Sequence, residues 1–339
     1  MSACKHTRTR LPNLLLGLVG AAAGFSHSST SIKVQVGNLT RMALLHVPTQ
    51  LSGKAPLVVN WHGMMETPQE QQGLSDFNRV ADEHGFIVVY PQGGARASIV
   101  GKGLPGFTHN GGGCCSSACG AHLIDDVAFA RALVPAVDAV VAVDRSRVYS
   151  TGFSNGGFMS YRLGCEASDI FAAVAPVSAV LANKPNLGMG STQTWSCQPA
   201  RPVPMLHIHG TKDELVTYGG NVFFGWPSVQ ASAKDWAKRN GCAGGHTTSF
   251  ANTSTTTNNT VRCESLCGGS ANVTLCTVTG GTHAWPGGQC GGKTGAACTV
   301  DIPGYATLHL AGEALIHASD EIWAFFSRFS LHQAPHTSN

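Results

Sequence analysis

Short, strongly apolar runs alternate along this sequence with longer stretches in which apolar residues recur at helical spacing. The runs predict buried strands at Leu57–Trp61, Phe86–Tyr90, Arg147–Thr151, Phe171–Ser178, Val203–His209 and Val273–Val278. The stretches predict helices at Leu74–His84, Asp125–Val141, Gly156–Cys165, Val229–Asn240 and Ala306–Phe329. Because strands that alternate with helices form a mostly parallel sheet covered on both faces, the pattern predicts an α/β fold.

Three segments interrupt the alternation and predict long loops: 93–120, 182–201 and 241–269. They are rich in Gly, Thr, Asn and Cys, and loops of this length need disulfides if they are to be ordered. The sequence shows neither an internal repeat nor a long polar linker. We therefore expect a single domain over residues 24–339, with its core at about 40–330.

The first 23 residues have the pattern of a secretory signal peptide. Lys5, Arg8 and Arg10 precede an apolar stretch that ends in Ala21–Ala23. The alternative, a membrane anchor, is disfavoured because the apolar stretch is shorter than the roughly 18 residues that span a bilayer. We therefore expect a secreted, extracellular protein with no membrane attachment after removal of residues 1–23. In a eukaryotic secretory route, four sequons would be glycosylation sites: Asn38, Asn252, Asn258 and Asn272.

The charge balance argues against a nucleic-acid partner. The chain carries 22 Lys plus Arg and 19 Asp plus Glu, a formal net charge of +3. The whole excess lies in residues 1–23, so the remainder carries 19 basic groups against 19 acidic ones. Because nucleic-acid binding depends on a basic surface, we expect no nucleic-acid partner.

Twelve cysteines, eleven of them after residue 23, indicate an oxidising compartment. The odd number predicts one unpaired thiol or an intermolecular bond, and one free thiol per chain if five disulfides form. Adjacent Cys114 and Cys115 are expected to take different partners, because a bridge between neighbours strains the peptide that joins them. A zinc site is disfavoured because the spacings Cys263–Cys267 and Cys114–Cys119 are not C-x-x-C and no His pair is in phase with them, so we expect no metal.

The most informative local motif is Gly152-Phe153-Ser154-Asn155-Gly156. G-x-S-x-G alone is a weak signal, but here it follows a predicted strand and opens a predicted helix, as a nucleophile elbow requires. In such an elbow the Ser backbone is strained, and flanking residues with a Cβ would collide with the strand and the helix. We therefore predict that Ser154 is a nucleophile; the alternative is a structural turn serine.

A nucleophilic serine needs a base to take its proton and an acid to orient that base. Asp213, just beyond the strand that ends at His209, is the predicted acid. Glu214 is the neighbouring alternative, and a turn or helix-capping role for Asp213 is another. His283, in a glycine-flanked loop after the last predicted strand, is the predicted base. His207 and His209 belong to a buried strand and are predicted to be packed, hydrogen-bonded core histidines.

Acyl transfer also needs two backbone donors aimed at the developing oxyanion. One is predicted to be the amide of Asn155, directly after the nucleophile. The second is predicted in the sharp turn after the early strand, at the amide of Met64, with Met65 as the near alternative. His62, in the same turn, is predicted to be structural.

Several blocks of this sequence resemble secreted esterases of one family. They are R-V-Y-S-T and G-F-S-N-G-G at the elbow, F-A-A-V-A-P-V-S after it, H-I-H-G-T-K-D at the acid and G-G-T-H-A-W-P-G-G at the base. With these blocks the chain resembles, from about Leu44 to Phe326, the esterases grouped with polyhydroxybutyrate depolymerases and feruloyl or acetylxylan esterases. The resemblance implies an α/β-hydrolase fold, no cofactor, carboxylic ester substrates, and a triad of Ser154, Asp213 and His283.

The same resemblance implies that Trp285, beside His283, lines the acyl or polymer site. Pro286 restricts the Trp285 backbone, and an indole held there would offer a face for stacking on substrate. The alternative is that Trp285 packs the turn and holds His283 in place. Lys212 departs from the family pattern, which often has a small residue there, and this bears on substrate preference more than on the triad.

Together these features predict a secreted serine carboxylic ester hydrolase. Its substrates would be feruloyl or acetyl esters of polysaccharide, or polyhydroxyalkanoate polyesters, so the partner would be an ester that is in some cases polymeric. One alternative is a serine peptidase, which we would expect to carry a large extra domain. The other is a non-catalytic binding protein on an esterase scaffold, although all three triad positions carry competent residues.

Overall fold

A computed structural model of the protein describes residues 29–99, 102–115, 124–184, 195–242, 249–253, 260–290, 293–294, 299–302, 306–309, 311–312 and 316–331. The predicted signal peptide, residues 1–23, lies outside the described residues. None of the helices in these ranges combines the length and hydrophobicity that crossing a bilayer would require.

Ten strands of the described residues form one central sheet. In chain order they are β1 (Thr30–Val36), β2 (Leu39–His46), β3 (Ala55–Trp61), β4 (Ile87–Pro91), β7 (Val143–Phe153), β8 (Ala173–Val177), β9 (Met205–Gly210), β10 (Ser249–Thr253), β11 (Thr260–Cys267) and β12 (Val273–Val278). Their order across the sheet is β1-β2-β4-β3-β7-β8-β9-β12-β11-β10. The six central strands, β4 to β12, are parallel, and an antiparallel pair extends each edge.

The described helices are α1 (Pro68–Ser75), α2 (Phe77–His84), α3 (Asp126–Asp138), α4 (Asn155–Glu166), α5 (Val229–Arg239) and α6 (Ala318–Phe326). Outside the central sheet, short strands form pairs: β5 (Ala95–Ile99) with β6 (Lys102–Thr108), β13 (Trp285–Pro286) with β18 (Ala311–Gly312), β14 (Gln289–Cys290) with β15 (Lys293–Thr294), and β16 (Thr299–Ile302) with β17 (Ala306–His309).

The hydrophobic core has two parts, one on each face of the sheet. One contains buried side chains of α3, α4 and α5, such as Phe129, Phe158 and Trp236. The other contains those of α1, α2 and α6, such as Phe77 and Trp323. Burial on both faces explains why the six predicted strands, which are continuous apolar runs, coincide with the six parallel strands.

Two predicted helices differ from the observed elements. The stretch predicted as one helix at Leu74–His84 is divided between α1 and α2, because Asp76 between them has a left-handed φ of 52° and its carboxylate binds Arg79 at 2.9 Å. The described residues in the first half of the helix predicted at Ala306–Phe329 are instead β17, which pairs with β16, and β18, which pairs with β13. Only its second half, α6, is helical.

Two predicted loops contain strands. The segment 241–269 includes β10 and β11, which join the sheet through β12. Threonine is rare in cores but is β-branched, so a threonine-rich segment forms an edge strand well once a partner is available. The segment 93–120 includes the hairpin β5–β6.

Four disulfides connect described residues: Cys114–Cys115, Cys165–Cys197, Cys242–Cys267 and Cys263–Cys276. The expectation that Cys114 and Cys115 take different partners is therefore wrong. Cys115 has a left-handed φ of 67°, and this turn of the chain brings the two adjacent sulfurs together. Three cysteines after residue 23 remain, Cys119, Cys290 and Cys298. Two of them, Cys119 and Cys298, lie outside the described residues, so the predicted fifth disulfide and free thiol stay predictions.

The junction of β7 and α4 is packed too closely for side chains at its glycines. A Cβ on Gly156 would lie 2.0 Å from the Trp61 carbonyl oxygen of β3, and one on Gly152 would lie 2.6 Å from the same atom. Both distances are well below any real Cβ contact. The glycines of the motif therefore allow β3, β7 and α4 to meet around Ser154.

We expect Gly156→Ala to lower the free energy of unfolding by about 2–4 kcal/mol, because the methyl group must displace the backbone of β3. Urea denaturation of the purified protein measures this. Gly73→Ala is the matched control: Gly73 is exposed in α1 and its Cβ would meet nothing within 4 Å. That variant should gain up to about 1 kcal/mol, and equal stability of the two variants would refute the packing argument.

Candidate active site

The predicted site residues follow four strands of the parallel set. Met64 follows β3, Ser154 follows β7, Asp213 follows β9 and His283 follows β12. Because these strands are parallel, their carboxyl ends lie at one edge of the sheet. This edge is where ligands bind in open α/β sheets.

Ser154 has the strained backbone that an elbow requires. Its φ is 51° and its ψ is −115°, a conformation that is unusual for a residue with a side chain. Its amide donates to the Val177 carbonyl of β8 at 2.9 Å, and its carbonyl accepts from the Phe158 amide at 3.0 Å, within α4. The turn is thus fixed from both sides, and the Ser154 side chain is partly exposed.

Asp213 and His283 are brought together as predicted. The Nδ1 atom of His283 lies 2.8 Å from Oδ2 of Asp213, and both residues are almost fully buried. Their loops are joined by backbone: the Lys212 amide donates to the Gly281 carbonyl at 2.8 Å. Glu214, the alternative acid, is exposed, so the structure favours Asp213.

The His283 loop lies against the elbow. The His283 ring is 4.9 Å from the ring of Phe153, the residue before the nucleophile. Ser178, which directly follows the strand that binds the Ser154 amide, donates its hydroxyl to the Ala284 carbonyl at 3.1 Å. These contacts bring His283 to the side of the sheet edge that carries Ser154.

Asp213 is held in its ionised form by three hydrogen-bond donors and by the nearby ring of His209. Oδ1 accepts from the amides of Leu215 at 2.9 Å and Val216 at 2.8 Å, and Oδ2 lies near both His283 and His209. Burial alone would raise the pKa of Asp213, but the nearby His283 and the hydrogen bonds of both histidines outweigh burial and lower it well below its usual range. The carboxylate is therefore charged whenever the protein is folded near neutral pH.

The turn after β3 presents one amide freely. The Gly63 amide donates to Oε2 of Glu66 at 2.7 Å, and the Met65 amide donates to the Phe107 carbonyl at 2.9 Å. Between them, the Met64 amide makes no hydrogen bond to another described residue. An oxyanion donor must be free before substrate arrives, so this turn favours Met64 over Met65.

His62 fixes the same turn, in agreement with its predicted structural role. Its Nε2 accepts from the Gly93 amide at 3.0 Å, so its Nδ1 carries the proton and donates to the Gly63 carbonyl at 2.7 Å. Burial lowers the pKa of His62 to about 4, so the ring is neutral at ordinary pH.

The side chain of Asn155 binds the loop after β6. Its Oδ1 accepts from the His109 amide at 2.7 Å and its Nδ2 donates to the His109 carbonyl at 2.9 Å. The start of α4 is therefore anchored by the side chain, while the backbone amide of Asn155 belongs to the first turn of a helix, where amides lack intrahelical partners.

The predicted substrate-stacking role of Trp285 is wrong. Its side chain has no exposed surface, its Nε1 donates to the Ser319 hydroxyl at 3.2 Å, and its ring packs against Phe77. The helices α2 and α6 cover the indole. This agrees with the alternative that Trp285 packs the turn and holds the His283 loop in place.

Two functional neighbours were not predicted from the sequence. Glu66 was overlooked because an acid next to a turn ordinarily faces solvent, yet it is buried here. His209 was predicted to be a core residue, and it is buried, but it also contacts Asp213 at 3.2 Å. The spacing H-x-H in β9 was the available signal, because alternate residues of a strand share a face.

Known proteins that this chain is similar to include esterases and a depolymerase. Residues 41–186 match the family model "Esterase PHB depolymerase". The chain is 34% identical to feruloyl esterase B of Piromyces equi over 260 aligned residues. This alignment covers 74% of the chain and 44% of the relative. Half of the chain is 30% identical to poly(3-hydroxyalkanoate) depolymerase C of Paucimonas lemoignei, covering 40% of it. The chain thus spans less than half the length of both relatives.

A solved structure, the acetyl xylan esterase from Aspergillus awamori, matches 88% of this chain and 99% of its own at a TM-score of 0.55. At 18% sequence identity this likeness concerns the fold alone. The predicted α/β-hydrolase fold and the family resemblance are confirmed by these matches.

The buried Glu66 carboxyl makes stability depend on pH. Burial raises the pKa of Glu66 from 4.5 to about 7, so between these values the unfolded chain loses a proton that the folded protein keeps. The contribution of the protonated Glu66 carboxyl to the free energy of unfolding is complete below pH 4.5 and is lost as the pH rises to about 7. Glu66→Gln keeps an acceptor for the Gly63 amide and does not titrate. Relative to wild type, we expect it to gain about 3 kcal/mol of unfolding free energy across this window.

Urea denaturation at several pH values between 4 and 8 measures the Glu66 effect. Exposed Glu214→Gln is the control and should parallel wild type throughout. A Glu66→Gln variant whose stability runs parallel to that of wild type across the window would contradict the buried-carboxyl interpretation.

We expect Trp285→Ala to lower the free energy of unfolding by about 3–5 kcal/mol, because it leaves a cavity between α2 and α6. Trp285→Phe, which keeps a ring but loses the hydrogen bond to Ser319, should lose less than half as much. Thermal denaturation followed by circular dichroism compares them. An Ala variant as stable as wild type would show that the indole does not pack as described.

Proposed function

Because the chain contains an Esterase PHB depolymerase domain over residues 41–186, we propose that it is a secreted serine carboxylic ester hydrolase. Its triad is Ser154, His283 and Asp213. The observation that carries the proposal is the strained Ser154 elbow at the same sheet edge as a buried Asp213–His283 pair with atoms 2.8 Å apart. A structural turn serine needs neither the strain nor the pair.

In the proposed reaction, Nε2 of His283 takes the proton of the Ser154 hydroxyl while Oγ attacks the ester carbonyl. The amides of Asn155 and Met64 bind the oxyanion of the tetrahedral intermediate. When the intermediate collapses, the alcohol leaves with the proton from His283, and Ser154 is acylated. Water, deprotonated by His283, then attacks the acyl group and releases the acid.

Asp213 has two roles in this reaction. By accepting from Nδ1 of His283 it leaves Nε2 free to act as the base, and its charge stabilises the imidazolium that forms when the base is protonated. Its lowered pKa keeps that charge present over the whole working range of pH.

The proposed substrates are feruloyl or acetyl esters of polysaccharides and polyhydroxyalkanoate polyesters. Support comes from the names of the similar proteins, a feruloyl esterase and a poly(3-hydroxyalkanoate) depolymerase. The proposed catalytic residues require no cofactor. Parallel incubation with feruloylated arabinoxylan, acetylated xylan and polyhydroxybutyrate, followed by product analysis, distinguishes among these esters.

Secretion is part of the proposal. Residues 1–23 have a signal-peptide pattern, and disulfides such as Cys165–Cys197 and Cys263–Cys276 are typical of oxidising compartments. Asn38 lies in an exposed turn between β1 and β2, where a glycan would meet no packed neighbour.

Ser154→Ala should lower hydrolysis of a short nitrophenyl ester at least about 10⁴-fold with an unchanged unfolding midpoint, because the hydroxyl makes the covalent bond and contributes little to packing. His283→Ala should lose nearly as much. Asp213→Asn should lose less, because Asp213 transfers no proton. Casein is the negative control for peptidase activity. A Ser154→Ala variant with more than a few per cent of wild-type turnover would overturn the assignment.

A further inference from the structure

A line of buried side chains leads from α4 to the acid of the proposed triad. The hydroxyl of Tyr161 lies 2.9 Å from Nδ1 of His207, and Nε2 of His207 lies 3.2 Å from Nδ1 of His209. Nε2 of His209 lies 3.2 Å from Oδ2 of Asp213, the oxygen that also binds His283. Tyr161, His207, His209 and Asp213 are all buried.

The direction of these hydrogen bonds follows from one acceptor. Nε2 of His209 lies 2.8 Å from the carbonyl oxygen of Val216, which can only accept, so this nitrogen carries a proton. In the neutral ring Nδ1 must then accept, and it does so from Nε2–H of His207. Nδ1 of His207 accepts in turn from the Tyr161 hydroxyl. The Nε2–H of His209 thus donates to the Val216 carbonyl at 2.8 Å and lies 3.2 Å from Oδ2 of Asp213.

Burial supports a neutral ring at His207. Burial, with a smaller effect of His209, lowers the pKa of His207 well below its usual range. The groups that face His209 are His207 on the same strand, Asp213 and Val216 on the following loop, and Tyr218, whose ring is 5.9 Å away. Tyr218 is engaged elsewhere, since its hydroxyl lies 2.7 Å from that of Thr277.

We propose that His209, oriented by His207 and Tyr161, is a positioning residue for Asp213. Its Nε2–H, which is bound to the Val216 carbonyl, lies 3.2 Å from the carboxylate oxygen that His283 uses, and so stabilises the charge on that oxygen and restricts the position of the carboxylate. This inference rests on the proposed triad but concerns groups that do not touch substrate.

The test compares two uncharged, unbranched side chains of similar size at position 209. His209→Gln keeps an N–H near the position of Nε2, whereas His209→Met removes it. We expect kcat/KM for a nitrophenyl ester to fall about tenfold or more in His209→Met, as for other lost hydrogen bonds to a charged group, and KM to change little. His209→Gln should recover most of the activity.

The pH profile separates positioning from mere packing. Without the His209 donor, more of the Asp213 charge acts on the protonated base, so the inactive form persists to higher pH. The acidic limb of kcat/KM should therefore move upward by several tenths of a pH unit in His209→Met and return in His209→Gln. Equal losses in both variants with an unmoved limb would overturn the proposal.

A conservative variant covers the case in which His209→Met does not fold. Tyr161→Phe removes only the hydroxyl at the start of the line, and we expect kcat/KM about threefold lower and the limb shifted in the same direction. A Tyr161→Phe enzyme with unaltered kcat/KM and pH profile would argue against orientation through His207.

Nitrogen NMR of the histidine rings tests the line without any activity. In the wild-type protein we expect the spectra to show His207 and His209 as neutral Nε2–H tautomers. The signals of each ring are assigned by their disappearance in His207→Gln or His209→Gln. If ester hydrolysis is absent but these tautomers are found, the proposed function fails and the hydrogen-bond line stands. If hydrolysis is present but either ring carries its proton on Nδ1, the proposed function stands and the positioning role fails.

Discussion

The whole site depends on a backbone contact that excludes side chains. At Gly152 and Gly156 a Cβ would lie within 2.6 Å of the Trp61 carbonyl, so β3, β7 and α4 meet through bare backbone. This contact fixes Ser154 and the turn after β3 relative to each other. In the proposed reaction the amides of Met64 and Asn155 bind the oxyanion, and a turn held by backbone contact would supply the preorganisation that such binding requires.

A buried ion pair extends this order to the loop beside the elbow. Arg41 of β2 binds Asp126 of α3 at 2.6 Å, and the second oxygen of Asp126 accepts from the Asn110 amide at 2.7 Å. One residue earlier, His109 is bound through its backbone by Asn155. The loop after β6 is therefore bound to both α3 and α4. Because the Arg41 guanidinium also lies over the Phe129 ring, its charge is partnered on both sides in a buried setting.

Local patterns were sufficient to predict the parallel strands and the three residues that follow them. An apolar run identifies a strand buried on both faces, and the carboxyl ends of parallel strands share an edge, so Ser154, Asp213 and His283 could be proposed without knowledge of tertiary contacts. Trp285 was assigned the wrong role because its surroundings come from α2 and α6, which a local pattern does not bring to it. Glu66 and the Cys114–Cys115 bridge were missed for the same reason: burial and turn geometry decide them, and neither is written in neighbouring residues.

Both flanks of the site use a buried histidine as a connector. His62 joins the Gly93 amide to the Gly63 carbonyl, and His209 joins His207 to Asp213. A neutral imidazole offers one donor and one acceptor at a fixed separation, so it bridges two groups without the desolvation cost of a charge. The sheet brings the loops to the same edge, and these rings orient the groups within them: His62 the turn that leaves the Met64 amide free, His209 the carboxylate that aims His283. Protonating His62 would replace its acceptor with a second donor facing the Gly93 amide, so this connector works only while its ring stays neutral.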